Sequence, residues 1–164
     1  MINTLILTEK EGWHFQQLKS SLEKNNHNVS SACLTEISLN LEKNKTNIFI
    51  NNSPLDKIDN VIVRFVPGGT LEEIVFYLNI LKILQSMNIK VINTASSIEN
   101  TVDKLYTSHL LNKNGIPTPM TYVLRGYDKA RQFINHKTLS DGLVYKPLFC
   151  LLYTSPSPRD PWKS

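Results

Sequence analysis

Lys104, Lys146 and the segment from Arg64 to Gly69 (RFVPGG) hold the residue types in this 164-residue chain best suited to meeting an anion. Lys104 falls near the start of a helical pattern. A cation there is disfavoured by the helix dipole unless an anion is close, because that end of a helix attracts anions itself. Lys146 alternates with Val144 and Leu148 along a strand pattern and shares their face, opposite Leu143 and Tyr145. A lysine on a face that can become buried needs a partner. For an arbitrary pair of lysines, however, the ordinary reading is two solvated surface side chains. Pro67-Gly68-Gly69 follows the carboxyl end of a predicted parallel strand, where open α/β sheets bind ligands. The guanidinium fork of Arg64 matches a carboxylate there, so Arg64, Gly68 and Gly69 are candidate substrate contacts. A tight strand-to-helix turn explains the two glycines equally well.

Other chemistries lack their residues. His14, His27, His109 and His136 are scattered without triad or metal spacing, and no Ser or Cys sits in a nucleophile-elbow context. No metal ligand and no catalytic nucleophile is assigned. Cys33 and Cys150 form no CxxC pair, and Cys33 reads as a small buried hydrophobe.

Positioning those cations requires a sheet. Residues 2–7 (INTLIL) read as a short strand, and Trp13, Phe15, Leu18 and Leu22 follow at helical spacing until Asn25-Asn26. Residues 29–34 form a second strand candidate. Ile48 to Ile50 with the turn NNSPLD suggest a small hairpin-like excursion. Residues 59–65 (DNVIVRF) predict a strand buried on both faces. Thr70 and Glu73 spell a capping box for a helix whose apolar face is Leu71, Ile74, Val75, Leu78, Leu81 and Leu84. That helix ends near Met87-Asn88, and residues 89–93 supply another strand.

Alternating strands and helices imply a parallel sheet with right-handed crossovers. The first turn, LTEKEGWHF, lacks the GxGxxG pattern, which argues against a dinucleotide there. Beyond Asn93, Ser96 and Glu99 suggest a second capping box. A helix carrying Lys104, Leu105, His109 and Leu110 runs to Asn114, stopped by Gly115-Ile116-Pro117. Residues 119–124 (PMTYVL) predict a strand, 128–136 a helix and 143–148 a last strand.

The net charge of +4 comes from Lys and Arg interleaved with acids, so no basic block points to nucleic acid. No stretch approaches membrane-spanning length, and the N-terminus lacks a signal-peptide pattern. The expected compartment is the cytoplasm, with no membrane partner.

Three motifs in this order, VDK at 102–104, NGIPTP at 114–119 and VYKPLF at 144–149, resemble the amino-terminal part of an ATP-grasp ligase of the RimK type. The likeness is strongest to glutamate ligases of the tetrahydromethanopterin-linked group and covers residues 1–149. It implies an α/β fold: a Rossmann-like pre-ATP-grasp domain at 1–93 with a short parallel sheet, then an incomplete α+β ATP-grasp subdomain at 94–149. It further implies that Lys104 and Lys146 meet the ATP phosphates, as compact ammonium groups offsetting part of the triphosphate charge. The implied reaction passes the γ-phosphoryl group to a carboxylate of a small-molecule acceptor, and the amine of glutamate attacks the acyl phosphate. ATP and Mg²⁺ are the implied cofactors. The rival from a different class is a non-catalytic Rossmann-like binding module.

After Phe149 the family's glycine-rich loop is expected, but CLLYTSPSPRDPWKS follows. LLYTSPSPRD resembles translated sequencing-adapter DNA, so residues 150–164 are expected to be foreign, with the junction at or next to Cys150. A natural disordered tail and a Pro-x-x-Pro ligand are the alternatives. Without the metal ligands and the rest of the second subdomain, this chain is expected to be inactive.

Overall fold

A computed structural model describes residues 1–55, 57–136 and 144. The chain divides into two compact units, Met1–Glu99 and Asn100–Ser164. In chain order the front unit contains β1 (Ile2–Leu7), α1 (Trp13–Lys24), β2 (His27–Ala32), a 3-10 turn (Leu34–Glu36), β3 (Ile37–Glu42), β4 (Lys45–Ile50), β5 (Ser53–Pro54), β6 (Asn60–Val63), α2 (Leu71–Ser86) and β7 (Lys90–Ile92). Helix α3 (Ala95–Val102) follows, and the second unit continues with α4 (Lys104–Lys113) and α5 (Tyr127–His136).

The expected parallel sheet is present, with four strands in the order β2-β1-β6-β7. Side chains alternate across β1. Leu5 and Leu7 join one cluster with Val61 and Val63 of β6 and with Tyr77, Ile80, Leu81 and Leu84 of α2. Thr4 and Ile6, both fully enclosed, point to the opposite face, where α1 contributes the buried Phe15. Each large apolar side chain so enclosed is worth roughly 1.5–3 kcal/mol relative to exposure. The β6 strand is shorter than predicted and buried on one face only: Val61 and Val63 are enclosed, Asn60 and Ile62 half-covered. Cys33 is likewise half-buried rather than buried, and it donates its backbone N–H to Glu36 Oε2 at 2.7 Å.

The crossover from β2 to β6 is more than a hairpin. Strands β3, β4 and β5 form a separate antiparallel sheet whose Ile37 and Ile48 enter the same core cluster as α2. Two-residue turns join them, Lys43-Asn44 (φ 42° and 66°) and Asn51-Asn52 (φ 48° and 63°). Positive φ at both central residues matches the right-handed strand twist, and Asn tolerates it. The polar look of residues 38–47 concealed β3, in which only Ile37 is buried and Leu39 half-buried.

The Thr70–Glu73 capping box forms as read. Glu73 N–H donates to Thr70 Oγ1 at 3.3 Å, and Thr70 N–H donates to Glu73 Oε2 at 2.7 Å. The buried face of α2 differs from the prediction: Tyr77, Leu78, Ile80, Leu81 and Leu84 are enclosed, while Leu71 and Val75 are exposed. A 16-residue helix is about 24 Å long and a four-residue strand about 13 Å, so its first turns overhang the sheet.

The second predicted capping box is absent. Helix α3 begins two residues earlier, and Thr94 Oγ1 accepts from Ser97 N–H at 3.2 Å, so Thr94 is the cap and Ser96 lies inside the first turn. Ala95 and Ile98 pack with the front core, and Lys82 pairs with Glu99 at 3.2 Å. Nor does one helix run to Asn114: it breaks at Asp103, which caps α4 by accepting from Tyr106 N–H at 2.9 Å. The predicted stop is present, with Gly115 at φ 67° and Ile116 N–H donating to Leu111 O at 3.0 Å. Residues 119–124 form no strand. Their β-prone side chains have no neighbouring strand among the described residues, and Met120, Tyr122, Val123 and Leu124 are exposed. The predicted strand at 143–148 lies outside the described residues except for Val144, which is exposed and in no strand. The tail 150–164 lies outside them as well.

Candidate functional site at the sheet's carboxyl edge

The chain leaves β1 for α1 on one face and leaves β6 for α2 on the other, so the connections diverge between two adjacent strands. Such a switch point leaves a crevice at the carboxyl ends of the strands. Arg64 and Phe65 both donate their backbone N–H to Leu7 O, at 2.9 and 3.1 Å, which fixes the start of the RFVPGG segment beside the end of β1. The loop after β1 is held on its other side: Thr8 N–H donates to Ala32 O at 2.9 Å, and Ser31 Oγ donates to Glu11 Oε1 at 2.5 Å. Arg64 is half-buried, and among the described residues no carboxylate pairs with it. An unpaired guanidinium at a switch point is suited to a carboxylate ligand.

The glycines have a local explanation. A Cβ on Gly69 would stand 2.5 Å from Glu73 Oε2, so the residue must lack a side chain for the capping box to close. Gly68 is exposed, and Pro67 before it is buried. Glu72 and Glu73 occupy the first turn of α2, so that helix end already faces its own carboxylates and does not favour an added anion. Deeper in α2, burial raises the Tyr77 hydroxyl above its ordinary pKa, and the neighbouring Glu73 and Cys33 push in the same direction.

Lys104 is the first residue of α4 and is half-buried. Its backbone carbonyl accepts from Ser108 Oγ at 2.8 Å. Asp103 orients this turn and was missed by sequence reasoning, although Asp followed by a helical pattern is an N-cap signal. Tyr106 and His109 stack one turn further, with ring centroids 6.2 Å apart. Arg64, Gly68 and Gly69 thus share one connection of the front unit, Lys104 belongs to the second unit, and Lys146 lies outside the described residues. Among the described residues no three His, Cys, Asp or Glu side chains gather as a metal site. No helix among them is long and apolar enough to cross a membrane.

Residues 2–98 match the RimK pre-ATP-grasp domain family. The chain is similar to the coenzyme gamma-F420-2:alpha-L-glutamate ligase of Methanococcus maripaludis, 31% identical over 104 residues, covering 63% of this chain and 36% of that protein. It is similar to the tetrahydromethanopterin:alpha-L-glutamate ligase of Methanosarcina acetivorans, 30% identical over 95 residues, covering 58% and 28%. The chain therefore spans well under half the length of these two relatives. Among solved structures, the macrocyclase MdnB from Microcystis aeruginosa MRC shares the fold at a TM-score of 0.59 and 16% identity, over 82% of this chain and 58% of that one. The ATP-grasp ligase PsnB, complexed with minimal precursor, Mg and ADP, does so at 0.55 and 14%, over 81% and 50%.

Proposed function

The chain belongs to the RimK pre-ATP-grasp domain family, and on that premise we propose that it is the front part of an ATP-dependent carboxylate–amine ligase. The ligase adds glutamate to a small-molecule acceptor in the cytoplasm. The observation that carries this reading is the 30–31% identity to two alpha-L-glutamate ligases. In the proposed reaction an acceptor carboxylate oxygen attacks the γ-phosphorus of ATP, releasing ADP and forming an acyl phosphate. The amine of glutamate then attacks the acyl carbon, phosphate leaves, and the amine's lost proton passes to solvent.

Arg64 holds carboxylates of the acceptor at the switch point, with Gly68 and Gly69 keeping the backbone beside it open. Lys104 and Lys146, on the proposed subdomain 94–149, neutralise phosphate oxygens of ATP. The half-buried position of Lys104 at the start of α4 suits that role, because a partly desolvated ammonium interacts more strongly with phosphate than one in bulk water.

Calorimetric titration of ATP into a full-length relative that retains both lysines tests the proposal. Replacing the equivalents of Lys104 and Lys146 together by Met is expected to weaken ATP at least tenfold, which is about 1.4 kcal/mol. Absence of nucleotide binding in the unaltered relative would instead favour the non-catalytic binding module. In the same protein, Arg64→Ala is expected to raise the acceptor's KM with kcat little changed, the pattern of lost uniform binding. The 164-residue chain itself is expected to show no turnover.

A further inference from the structure

Asn114 is the one asparagine of the chain that a glycine follows. It closes α4 and is exposed, and Gly115 beside it stands at φ 67° with open space where a Cβ would be. The side-chain carbonyl of an asparagine is an electrophile for the next backbone nitrogen, and a glycine there has no Cβ to hinder the approach. Hydrogen bonds hold the two groups apart. Asn114 Nδ2 donates to Leu110 O at 2.7 Å, Gly115 N–H to Asn112 O at 3.0 Å and Ile116 N–H to Leu111 O at 3.0 Å. The backbone angle restrains them further. Ring closure requires Cβ of Asn114 in the plane of the Gly115 amide, but at ψ 12° the backbone nitrogen lies near that plane and Cβ stands out of it. The reactive pair is thus open to water and blocked by the last turn of a helix, where fraying begins. No residue of α4 is buried, so opening that turn uncovers no core.

We propose that Asn114 is a deamidation site gated by the helix stop. When the turn opens, Gly115 N gives its proton to solvent and bonds to Asn114 Cγ; the Cγ–Nδ2 bond breaks, and ammonia leaves with a proton taken from solvent. Water then adds to one carbonyl of the cyclic imide and breaks its bond to nitrogen. Hydrolysis at Cγ gives aspartate, and hydrolysis at the backbone carbonyl gives isoaspartate, in which the chain runs through Cγ. Either product places a carboxylate at the negative end of α4, with no N–H to return to Leu110 O. The stop therefore loosens as the protein ages, at the opposite end of the helix that Lys104 begins. This inference is independent of the ligase reading.

The 164-residue chain, incubated in mildly alkaline buffer and sampled over time, tests this by isoelectric focusing and peptide masses. An acidic form is expected, with its new carboxylate mapping to Asn114 before any other asparagine. Asn114→Gln, whose longer side chain closes the ring far less readily, is expected to lose that form. Ile116→Pro keeps the Asn-Gly pair but removes the N–H that closes the turn. It is expected to speed conversion about fivefold, the factor that one ordinary hydrogen bond gives to the opening equilibrium. In the aged protein, hydrogen exchange in the last turn of α4 is expected to be faster than in the fresh one. Earlier conversion at another asparagine, or an acidic form that persists in Asn114→Gln, would overturn the site. An unchanged rate in Ile116→Pro would overturn the gate, and unchanged exchange after conversion would overturn the loosening of the stop.

Discussion

Leu81 on α2 and Leu105 on α4 are the same side chain on two well-capped helices, yet Leu81 is wholly enclosed and Leu105 is 44% exposed. The difference lies in what stands beneath each helix. Below α2 are a parallel sheet and a small antiparallel one, and their side chains close over Leu81 from several elements. Among the described residues of the second unit there is no strand, and no hydrophobic side chain is fully buried. Capping and helical propensity make a helix locally, but a core requires a second layer.

The sharpest way to break this comparison is to truncate both leucines. Leu81→Ala is expected to cost about 2–5 kcal/mol, and Leu105→Ala less than about 1 kcal/mol, measured by urea unfolding and by hydrogen exchange over each unit. Similar losses at both sites would show that the second unit has a core of its own. Limited proteolysis should report the same contrast as a resistant fragment ending near Glu99, and uniform resistance would contradict it.

Backbone and cap substitutions probe the local level, where the two units should behave alike. Gly115→Ala forces a left-handed residue (φ 67°) to carry a Cβ and is expected to cost roughly 1–2 kcal/mol, visible as faster exchange in the last turn of α4. Thr70→Ala removes one half of a capping box and is expected to cost about 1 kcal/mol, read from the unfolding midpoint of the front unit. The smallest effect concerns alkaline pH. The folded-state pKa of Tyr77 is raised, chiefly by burial, so above about pH 10 the unfolded chain loses this proton first. Its contribution is fully present below that pH and declines as pH rises through the raised value. The front unit should therefore lose stability gradually above pH 10, and Tyr77→Phe should flatten that slope.

The capping box at Thr70–Glu73, the stop at Gly115 and the strands near 2–7 and 90–92 were legible because each depends on residues within a few positions of one another. Arg64 was legible as a candidate for the same reason, a charge just beyond an apolar run. Three features were not. The β3 strand reads as polar because four of its six residues are exposed, and Asp103 was absorbed into a continuous helical pattern. Trp13 was counted as one member of a helical stripe, yet it faces solvent while Phe15 faces the core.

What the sequence determined by itself was local: where helices start and stop, which runs favour strands, and that strands and helices alternate into a parallel α/β unit. Tertiary structure decided which of the apolar residues on α2 are enclosed, that an antiparallel sheet completes the crossover, and that Arg64 stands beside Leu7. The reason is range. Caps and turns are settled by hydrogen bonds between near neighbours, whereas burial and the meeting of β1 with β6 depend on side chains more than fifty residues apart arriving at the same place.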